Sequence, residues 1–328
     1  PMGFYAPAQI VRDAREHGVA VLPPDINHST WDTLIEDGAV RLGLRQVKGL
    51  SAADMQRLVA ARGNRPFADI EDLWRRTGLR PAVFDTLAKA DAYRSIGLDR
   101  RAASWAVKAL RETPVPADAP LLSGLPQGDK TDSGVALPPM PLGEHVVNDF
   151  ASLHLSLKAH PMALLRPAMR DLGYHSTADL TALPDRARVH VAGLVLVRQR
   201  PGSAKGVVFV TIEDEAGIAN LVILPDRFEA ERKALLGARL MGAQGRIERA
   251  GEIIHVRIER LTDLSDYLKI LSEDEGAEPK RKLQRHPRDT APLLDYTMAR
   301  ADEVKSPTPD QREVKAAKAA FPEGRNFR

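Results

Sequence analysis

The chain of 328 residues contains no cysteine, which excludes disulfide frameworks, thiolate nucleophiles and cysteine-based zinc sites. Aromatic residues make up 5% of it, and the formal net charge is only +3. The longest apolar run, Val191 to Val197, is far shorter than the roughly 20 residues that cross a bilayer, and no secretory signal opens the chain. We therefore expect a cytoplasmic protein without a membrane partner.

The length suggests about two domains, and the hydrophobic content of 43% is ordinary for globular protein. The first residue is Pro1 rather than Met, and the sequence around it already resembles structured protein. We expect the chain to be a piece of a longer protein.

Residues 43–62 predict a short helix, a tight Lys48-Gly49-Leu50 turn and a second helix that begins at Ser51. Gly49 permits backbone angles closed to other residues, and Ser51 with Asp54 forms a pair like a capping box. In such a helix-hairpin-helix, a DNA phosphate binds the free amides of the turn and the positive end of the helix dipole. The candidate DNA-binding residues are Arg45, Val47, Lys48, Gly49, Leu50 and Ser51. An ordinary helical joint that binds nothing is the alternative.

Local charge supports the DNA-binding interpretation. Residues 41–111 contain fifteen Lys and Arg against seven Asp and Glu. A basic segment within a nearly neutral chain is typical of a phosphate-binding surface.

Residues 28–112 are predicted to form this helix-hairpin-helix domain and to be mainly helical. Its core candidates have helical spacing: Phe67, Ile70, Leu73 and Trp74. Three arginines are predicted to be exposed: Arg75, Arg76 and Arg94. Residues 113–144 predict a proline-rich linker, residues 145–187 a helical connector, and residues 266–328 a polar, largely disordered tail.

Residues 188–265 change to the period of β-strands. Five short strands with a helix between the third and fourth predict an OB-fold barrel; an SH3-like barrel, which lacks that helix, is the competitor. The predicted fold class is thus multidomain α + β, with a helical helix-hairpin-helix domain followed by a five-stranded OB-fold β-barrel.

The second predicted strand alternates, with Val208, Val210 and Ile212 on one face and Phe209, Thr211 and Glu213 on the other. If the aliphatic set fills the barrel, Phe209 is presented on the outer face, where OB folds bind oligonucleotides and an aromatic ring can stack on a base. The candidate nucleic-acid-binding residues are Arg200, Lys205, Phe209 and Thr211. The alternative is that Phe209 packs under the loop as core.

No catalytic or metal-binding constellation is predicted. The acidic run from Asp69 to Asp72 superficially resembles a two-metal carboxylate pair, but acidic residues at a helix start are favoured by the dipole. The nine histidines show no metal-ligand spacing, and no Gly-Lys-Ser/Thr phosphate loop is present.

Several sequence blocks, in this order, resemble the C-terminal part of bacterial C-family DNA polymerases over about residues 1–265. The blocks are Pro1–Tyr5, His17-Gly18-Val19, Leu22–Asn27, Gly43-Leu44, Val47–Leu50, Arg75–Leu79, Leu155, His160-Pro161-Met162 and Glu213–Asn220. The replicative form is expected to carry a clamp-binding peptide with a Gln before aliphatic and aromatic residues, whereas Gln127 is followed here by Gly-Asp-Lys. The chain therefore looks like the error-prone, damage-tolerant paralogue.

The resemblance implies that residues 1–27 end a fingers domain and that the intact enzyme is a DNA-directed DNA polymerase acting in translesion synthesis. Implied partners are primer–template duplex, single-stranded template, mutasome accessory proteins and, through them, the sliding clamp. The family's palm domain, where Mg²⁺ is expected, has no counterpart here, so no catalytic residue is carried over and this fragment alone is expected to be inactive. A stand-alone, non-enzymatic DNA-binding accessory protein and an RNA-binding segment are the alternatives.

Overall fold

The computed structural model describes residues 6–110, 137–251, 253–272 and 325–326. These residues divide into two units. The first unit comprises the described residues of Pro1–Met140 together with Asn148–Leu157, and the second those of Pro141–Val147 and Lys158–Arg328. Most of the predicted linker, residues 113–144, and most of the predicted tail lie outside the described residues.

The first unit is built mainly from helices. In chain order its elements are α1 (Pro7–Glu16), β1 (Val21–Leu22), β2 (Leu34–Glu36), β3 (Ala39–Arg41), a 3₁₀ helix (Leu44–Gln46), α2 (Ala52–Arg62), α3 (Ile70–Thr77), α4 (Pro81–Lys89), a second 3₁₀ helix (Arg94–Ile96), α5 (Arg100–Lys108) and the C-terminal half of α6 (Leu142–Leu153).

A small sheet interrupts the region that was predicted to be mainly helical. Strands β2 and β3 form an antiparallel hairpin, and β3 pairs in parallel with β1. The turn of the hairpin, Asp37-Gly38, has both φ angles positive, at 50° and 81°, as a tight two-residue hairpin requires. The Asp-Gly pair between strand-forming residues is the sequence signal for this hairpin, so the prediction for residues 28–112 was incomplete here.

Polar caps begin three of these helices. Ser51 accepts a hydrogen bond from the Asp54 amide at 3.1 Å, and Asp69 accepts one from the Asp72 amide at 2.7 Å. Asp99 does the same for Ala102 at the start of α5. The acidic run at Asp69 is therefore a helix start, and the predicted cap at Ser51 is confirmed.

The core of the first unit confirms one set of predictions and corrects another. Phe67, Ile70, Leu73 and Trp74 are all buried within one apolar cluster. Arg76, which was predicted to be exposed, is instead mostly enclosed, because its guanidinium donates to main-chain carbonyls where α2 ends and lies 4.4 Å from the centre of the Phe67 ring.

The second unit contains a barrel preceded by helices. Its elements are the N-terminal half of α6, α7 (Pro161–Asp171), a 3₁₀ helix (Thr177–Thr181), β4 (Arg188–Gln199), a 3₁₀ helix (Gly202–Ala204), β5 (Val208–Glu213), β6 (Ile218–Ile223), α8 (Pro225–Gly237), β7 (Leu240–Ala250), β8 (Ile253–Asp263), α9 (Tyr267–Ile270) and β9 (Arg325–Asn326).

The barrel strands follow the order β5-β6-β8-β7-β4, and β4 pairs again with β5, which closes the sheet. All neighbours are antiparallel except β6 and β8, which are parallel, and α8 lies between β6 and β7 in the chain. This closed, mixed five-stranded barrel confirms the predicted OB-like fold, since an SH3-like barrel lacks the helix. The short strand β9 pairs in parallel with Val197 and Arg198, near the C-terminal end of β4.

Aliphatic side chains from all five strands fill the barrel. Two glycines allow close approach of neighbouring strands: a Cβ on Gly193 would lie 2.7 Å from the Glu213 carbonyl oxygen, and one on Gly245 would lie 2.1 Å from that of Arg257. Helix α9 continues the fold beyond residue 265, with Leu268 buried, so the predicted start of the disordered tail at residue 266 is too early.

Candidate nucleic-acid interface

The first hairpin turn, residues 47–51, connects the 3₁₀ helix at Leu44 to α2. Gly49 has a φ of +91°, in the left-handed region that the sequence predicted for it. Lys48, Gly49 and Ser51 are exposed to solvent. The turn therefore presents its backbone outward, immediately before the N-terminus of an eleven-residue helix.

The backbone amides of this turn are not all available. The N–H groups of Gly49 and of residues 51–53 have no acceptor within the described parts of the chain, which leaves them able to bind an anion; Leu50 closes the turn that contains Lys48 and Gly49. The Lys48 amide is different, because it donates to the Ser152 carbonyl oxygen at 2.8 Å. The amides of Val47 and Lys48 are thus hydrogen-bonded within the protein, and the open amides start at Gly49.

Val47, one of the predicted DNA-binding residues, faces the interior of the first unit. Its side chain is only 2% exposed and packs in an apolar cluster with Leu42 and Ala90, among others. Its amide donates to the Leu44 carbonyl oxygen at 3.0 Å. Neither group is open to a DNA strand, so Val47 supports the turn from inside.

A second hairpin turn, residues 77–81, repeats the order of the first. Gly78 has a φ of +59°, Leu79 is buried, and α4 begins with Pro81 at its first position. The amides of Arg80 and Ala82 have no acceptor in the described residues, and the Arg80 side chain is exposed. Sequence reasoning missed this turn, although the Gly-Leu pair that it shares with the first turn, just before a helix, signals it.

A third Gly-Leu turn, at Gly97-Leu98, leads into α5 but has different chemistry. Its helix is capped by the Asp99 carboxylate, which accepts from the Ala102 amide at 2.8 Å. A carboxylate at this position repels a phosphate. The helices after the first two turns begin at Ser51 and Arg80 instead, neither of which is a carboxylate.

Part of the basic excess in this region serves the fold rather than the surface. Arg62 donates to the carbonyl oxygens of Ile26 and Ser29 at 2.9 and 2.8 Å, and its burial lowers the pKa of its guanidinium. Arg100 forms an ion pair with Asp149 in which both side chains are buried. The surface that can contact phosphate is thus less basic than the residue count suggested.

Of the predicted cations at the first turn, Arg45 is exposed but paired with Asp32 at 2.5 Å. Lys48 is exposed. Asp54 places a carboxylate near the turn, where it accepts a hydrogen bond from the Ser51 hydroxyl at 2.8 Å. An anion bound at this turn therefore needs the positive side chains as well as the amides.

In the barrel, β5 presents the predicted faces. Val208, Val210 and Ile212 are buried in the core, whereas Phe209 and Thr211 are half-buried on the outer face. Phe209 does not belong to the apolar cluster inside the barrel. The Thr211 hydroxyl donates to the Asn220 side-chain oxygen on β6 at 3.2 Å.

The strand register extends this outer face across the whole sheet. Phe209 pairs with Val222, Val222 with Arg257, Arg257 with Arg246, and Arg246 with Arg188. We call these residues the outer row. Arg257 and Arg246 form ion pairs with Glu248 and Glu259 at 3.3 and 3.0 Å. Sequence reasoning named Phe209 but missed the three arginines, because register between distant strands is not visible along the chain.

The predicted loop cations occupy the connection between β4 and β5. The Arg200 guanidinium lies 4.7 Å from the centre of the Phe228 ring of α8, so part of its charge faces an aromatic side chain of the barrel. Lys205 is exposed, with a φ of +50°. In the sequence, both cations come just before β5, the strand that carries Phe209.

Among the described residues, no group of three or more histidine, aspartate and glutamate side chains could coordinate a metal ion. None of the described helices combines the length and the apolar character needed to span a bilayer.

The chain is similar to known proteins in two ways. The family described as "Helix-hairpin-helix motif" matches residues 18–103. The chain is 48% identical over 298 residues to "Error-prone DNA polymerase 1" of Rhizobium meliloti (strain 1021), and 49% identical over 298 residues to "Error-prone DNA polymerase" of Sinorhizobium medicae (strain WSM419). Each match covers 84% of this chain. A protein of the same name from Ruegeria pomeroyi is 43% identical over 98% of the chain. The matches span 27% to 28% of the length of these three relatives, in their C-terminal region.

Proposed function

Since this chain belongs to the family of bacterial error-prone DNA polymerases, we propose that it is the DNA-gripping section of such an enzyme. The observation that carries the proposal is the set of amides without an acceptor at Gly49 and residues 51–53, next to an exposed lysine. Duplex DNA offers phosphates at a spacing that repeats along the backbone, so two such turns contact it without reading sequence.

The duplex is bound by backbone chemistry at the two hairpin turns. One phosphate accepts hydrogen bonds from the open amides after Gly49, and the dipole of α2 favours its charge. Lys48 adds a point charge that offsets the nearby Asp54 carboxylate. A second phosphate contacts the amides of Arg80 and Ala82 and the Arg80 guanidinium.

The single-stranded template is bound by the outer face of the barrel. Phe209 stacks on a base, and Arg257, Arg246 and Arg188 follow the phosphates across the sheet. Because the barrel is closed, the outer row follows its curved surface along an arc of about 19 Å, made of four gaps of about 4.8 Å each. A single strand that follows part of this arc contacts a few nucleotides, toward the lower end of the range of about 4–16 per OB fold.

The activity of the whole enzyme is part of the proposal. The palm domain with its Mg²⁺ ions would correspond to regions of the relatives that this chain does not match. In the described residues, the acidic side chains do not cluster as metal ligands. The intact protein would synthesise DNA across damage, with mutasome accessory proteins and, through them, the sliding clamp. Purified chain should show no magnesium-dependent primer extension, and synthesis by it would refute this division of roles.

The duplex contact is tested by Lys48→Ala, with Lys89→Ala as the control. Lys89 is an exposed lysine at the far end of α4, paired with Asp85. Loss of one phosphate contact should weaken duplex binding to the same degree for every sequence and reduce the slope of log K against log salt by about 0.9. A slope unchanged from wild type, or equally changed in Lys89→Ala, would remove Lys48 from the interface.

The single-strand contact is tested by Phe209→Leu and Phe209→Tyr. Stacking is worth about 1–3 kcal/mol per base, so the Leu variant should bind single-stranded DNA roughly 5- to 150-fold more weakly, and the Tyr variant should keep most of the affinity. Equal binding by both variants, with native melting curves, would argue against a stacking role.

A further inference from the structure

A segment distant in sequence lies directly against the first hairpin turn. The Ser152 carbonyl oxygen accepts the Lys48 amide at 2.8 Å, and the Leu153 carbonyl oxygen accepts the Gln46 side-chain amide at the same distance. These bonds join residues more than a hundred positions apart, and they contact the turn on both sides of Val47.

Apolar contacts complete this support. Leu153 and Leu155 are buried in one cluster with Val47, Leu42 and Ala90. Helix α6 ends at Leu153, and His154 then takes a φ of +60°, an uncommon angle for a residue other than glycine. The bend places Leu155 in the same cluster as Leu153, so two side chains from one short segment pack with Val47.

The segment is itself anchored to the helical core. Asp149 forms a buried ion pair with Arg100 of α5, and it also accepts a hydrogen bond from the Ser156 hydroxyl at 2.8 Å. Arg100 donates in turn to the Lys89 carbonyl oxygen at 3.0 Å, at the end of α4. Because a buried pair is costly to break, the segment has one stable position relative to α4 and α5.

We infer that Asn148–Leu157 is a positioning segment for the DNA-binding turn, one that fixes the Lys48 amide inward so that the amides after Gly49 face solvent together. It lies well outside residues 18–103, which match the helix-hairpin-helix family. The inference rests on the proposed duplex-binding function of the turn. A turn that exchanged between several conformations would bind a phosphate less tightly, because its ordering would be added to the cost of binding.

The test compares two buried leucines of the first unit in the full chain. Leu155→Ala removes a side chain from the cluster beneath the turn, whereas Leu73→Ala removes one from α3 in the main helical cluster. Leu155→Met conserves volume and serves as the rescue variant. Gln46→Ala deletes one hydrogen bond without a large cavity and keeps the test valid if Leu155→Ala fails to fold.

Two quantities are measured for each folded variant: duplex affinity, and hydrogen exchange at the Lys48 amide. Leu155→Ala should bind duplex about tenfold more weakly, and its Lys48 amide hydrogen should exchange at least tenfold faster. Gln46→Ala should change both quantities in the same direction. Leu155→Met should restore both to wild-type values. Leu73→Ala should leave both within about twofold of wild type at temperatures where it is folded.

Equal loss of affinity in Leu155→Ala and Leu73→Ala would overturn the inference, since general destabilisation would then explain both. Unchanged affinity in Leu155→Ala and Gln46→Ala would overturn it as well, provided that Lys48→Ala still weakens binding. If Lys48→Ala has no effect while exchange at its amide is faster in Leu155→Ala, the positioning contact stands and the proposed role of the turn fails.

Discussion

Replacing Arg76 by Met should destabilise the first unit strongly, whereas the same change at the adjacent Arg75 should have little effect. The Arg76 guanidinium donates to the carbonyl oxygens of Ala61 at 2.5 Å, Arg62 at 3.0 Å and Arg65 at 2.9 Å. These groups lie at or just beyond the end of α2, where main-chain carbonyls lack partners within the helix. One nitrogen, Nη2, thus lies within hydrogen-bond distance of three acceptors, which share its two N–H groups.

The magnitude follows from these contacts. A hydrogen bond from a charged donor contributes about 1.5–3 kcal/mol, but the carbonyl of Arg65 is near solvent and water can replace part of its bond. Counting two such bonds at the low end and a partly buried cation–π contact with Phe67 at about 0.5–1 kcal/mol, we expect a loss of about 3–4 kcal/mol. Met keeps most of the aliphatic volume, so cavity formation adds little.

Arg75 provides the matched control. Its side chain is 45% exposed and pairs with Glu71 one helical turn away, whereas the Arg76 side chain is 17% exposed. An exposed pair of this kind contributes about 0.3–0.5 kcal/mol, so Arg75→Met should cost no more than that.

The assay can be confined to one unit. All three tryptophans of the chain, Trp31, Trp74 and Trp105, lie in the first unit, so urea unfolding followed by tryptophan fluorescence reports on that unit. Equal slopes for wild type and both variants would establish that midpoints can be compared. If Arg76→Met lies within about 1 kcal/mol of Arg75→Met, the Arg76 guanidinium does not stabilise the end of α2 in the way these contacts suggest.

Two further predictions concern buried polar groups. Asp214 is buried and accepts from Arg166 at 2.8 Å, so Asp214→Asn should destabilise the second unit by about 3–5 kcal/mol, as measured by circular dichroism. Glu215→Gln, at a partly exposed partner of the same arginine, should cost clearly less, and equal costs would count against the buried pair. Burial, with a smaller contribution from Asp85, raises the pKa of the Tyr93 phenol well above its usual value of 10.0, so the folded state retains this proton more tightly than the unfolded chain. The stability that this phenol contributes is thus complete below pH 10 and is lost as the pH rises above it. Tyr93→Phe should therefore reduce the loss of folding stability at alkaline pH. An unchanged midpoint of alkaline unfolding would show that Tyr93 does not contribute to this loss.

The sequence by itself determined features that depend on a few neighbouring residues. The positive φ at Gly49, the cap at Ser51 and the alternation of β5 around Phe209 each follow from local backbone preference or from a period of two. The second turn at Gly78 obeys the same local rules and was therefore predictable, although it was not among the predicted sites. The β2–β3 hairpin was also signalled locally, by Asp37-Gly38.

Tertiary structure decided which groups those local elements leave open. Nothing in the sequence around Lys48 indicates that its amide is bound by Ser152, and nothing distinguishes Arg76 from Arg75 along α3. The outer row joins Phe209 to three arginines on other strands, and register across a sheet depends on the packing of the whole barrel. Backbone angles are set mainly by adjacent residues, whereas a hydrogen-bond partner or a cross-strand neighbour is chosen by which distant surfaces bury apolar area together, and that information is spread over the entire chain.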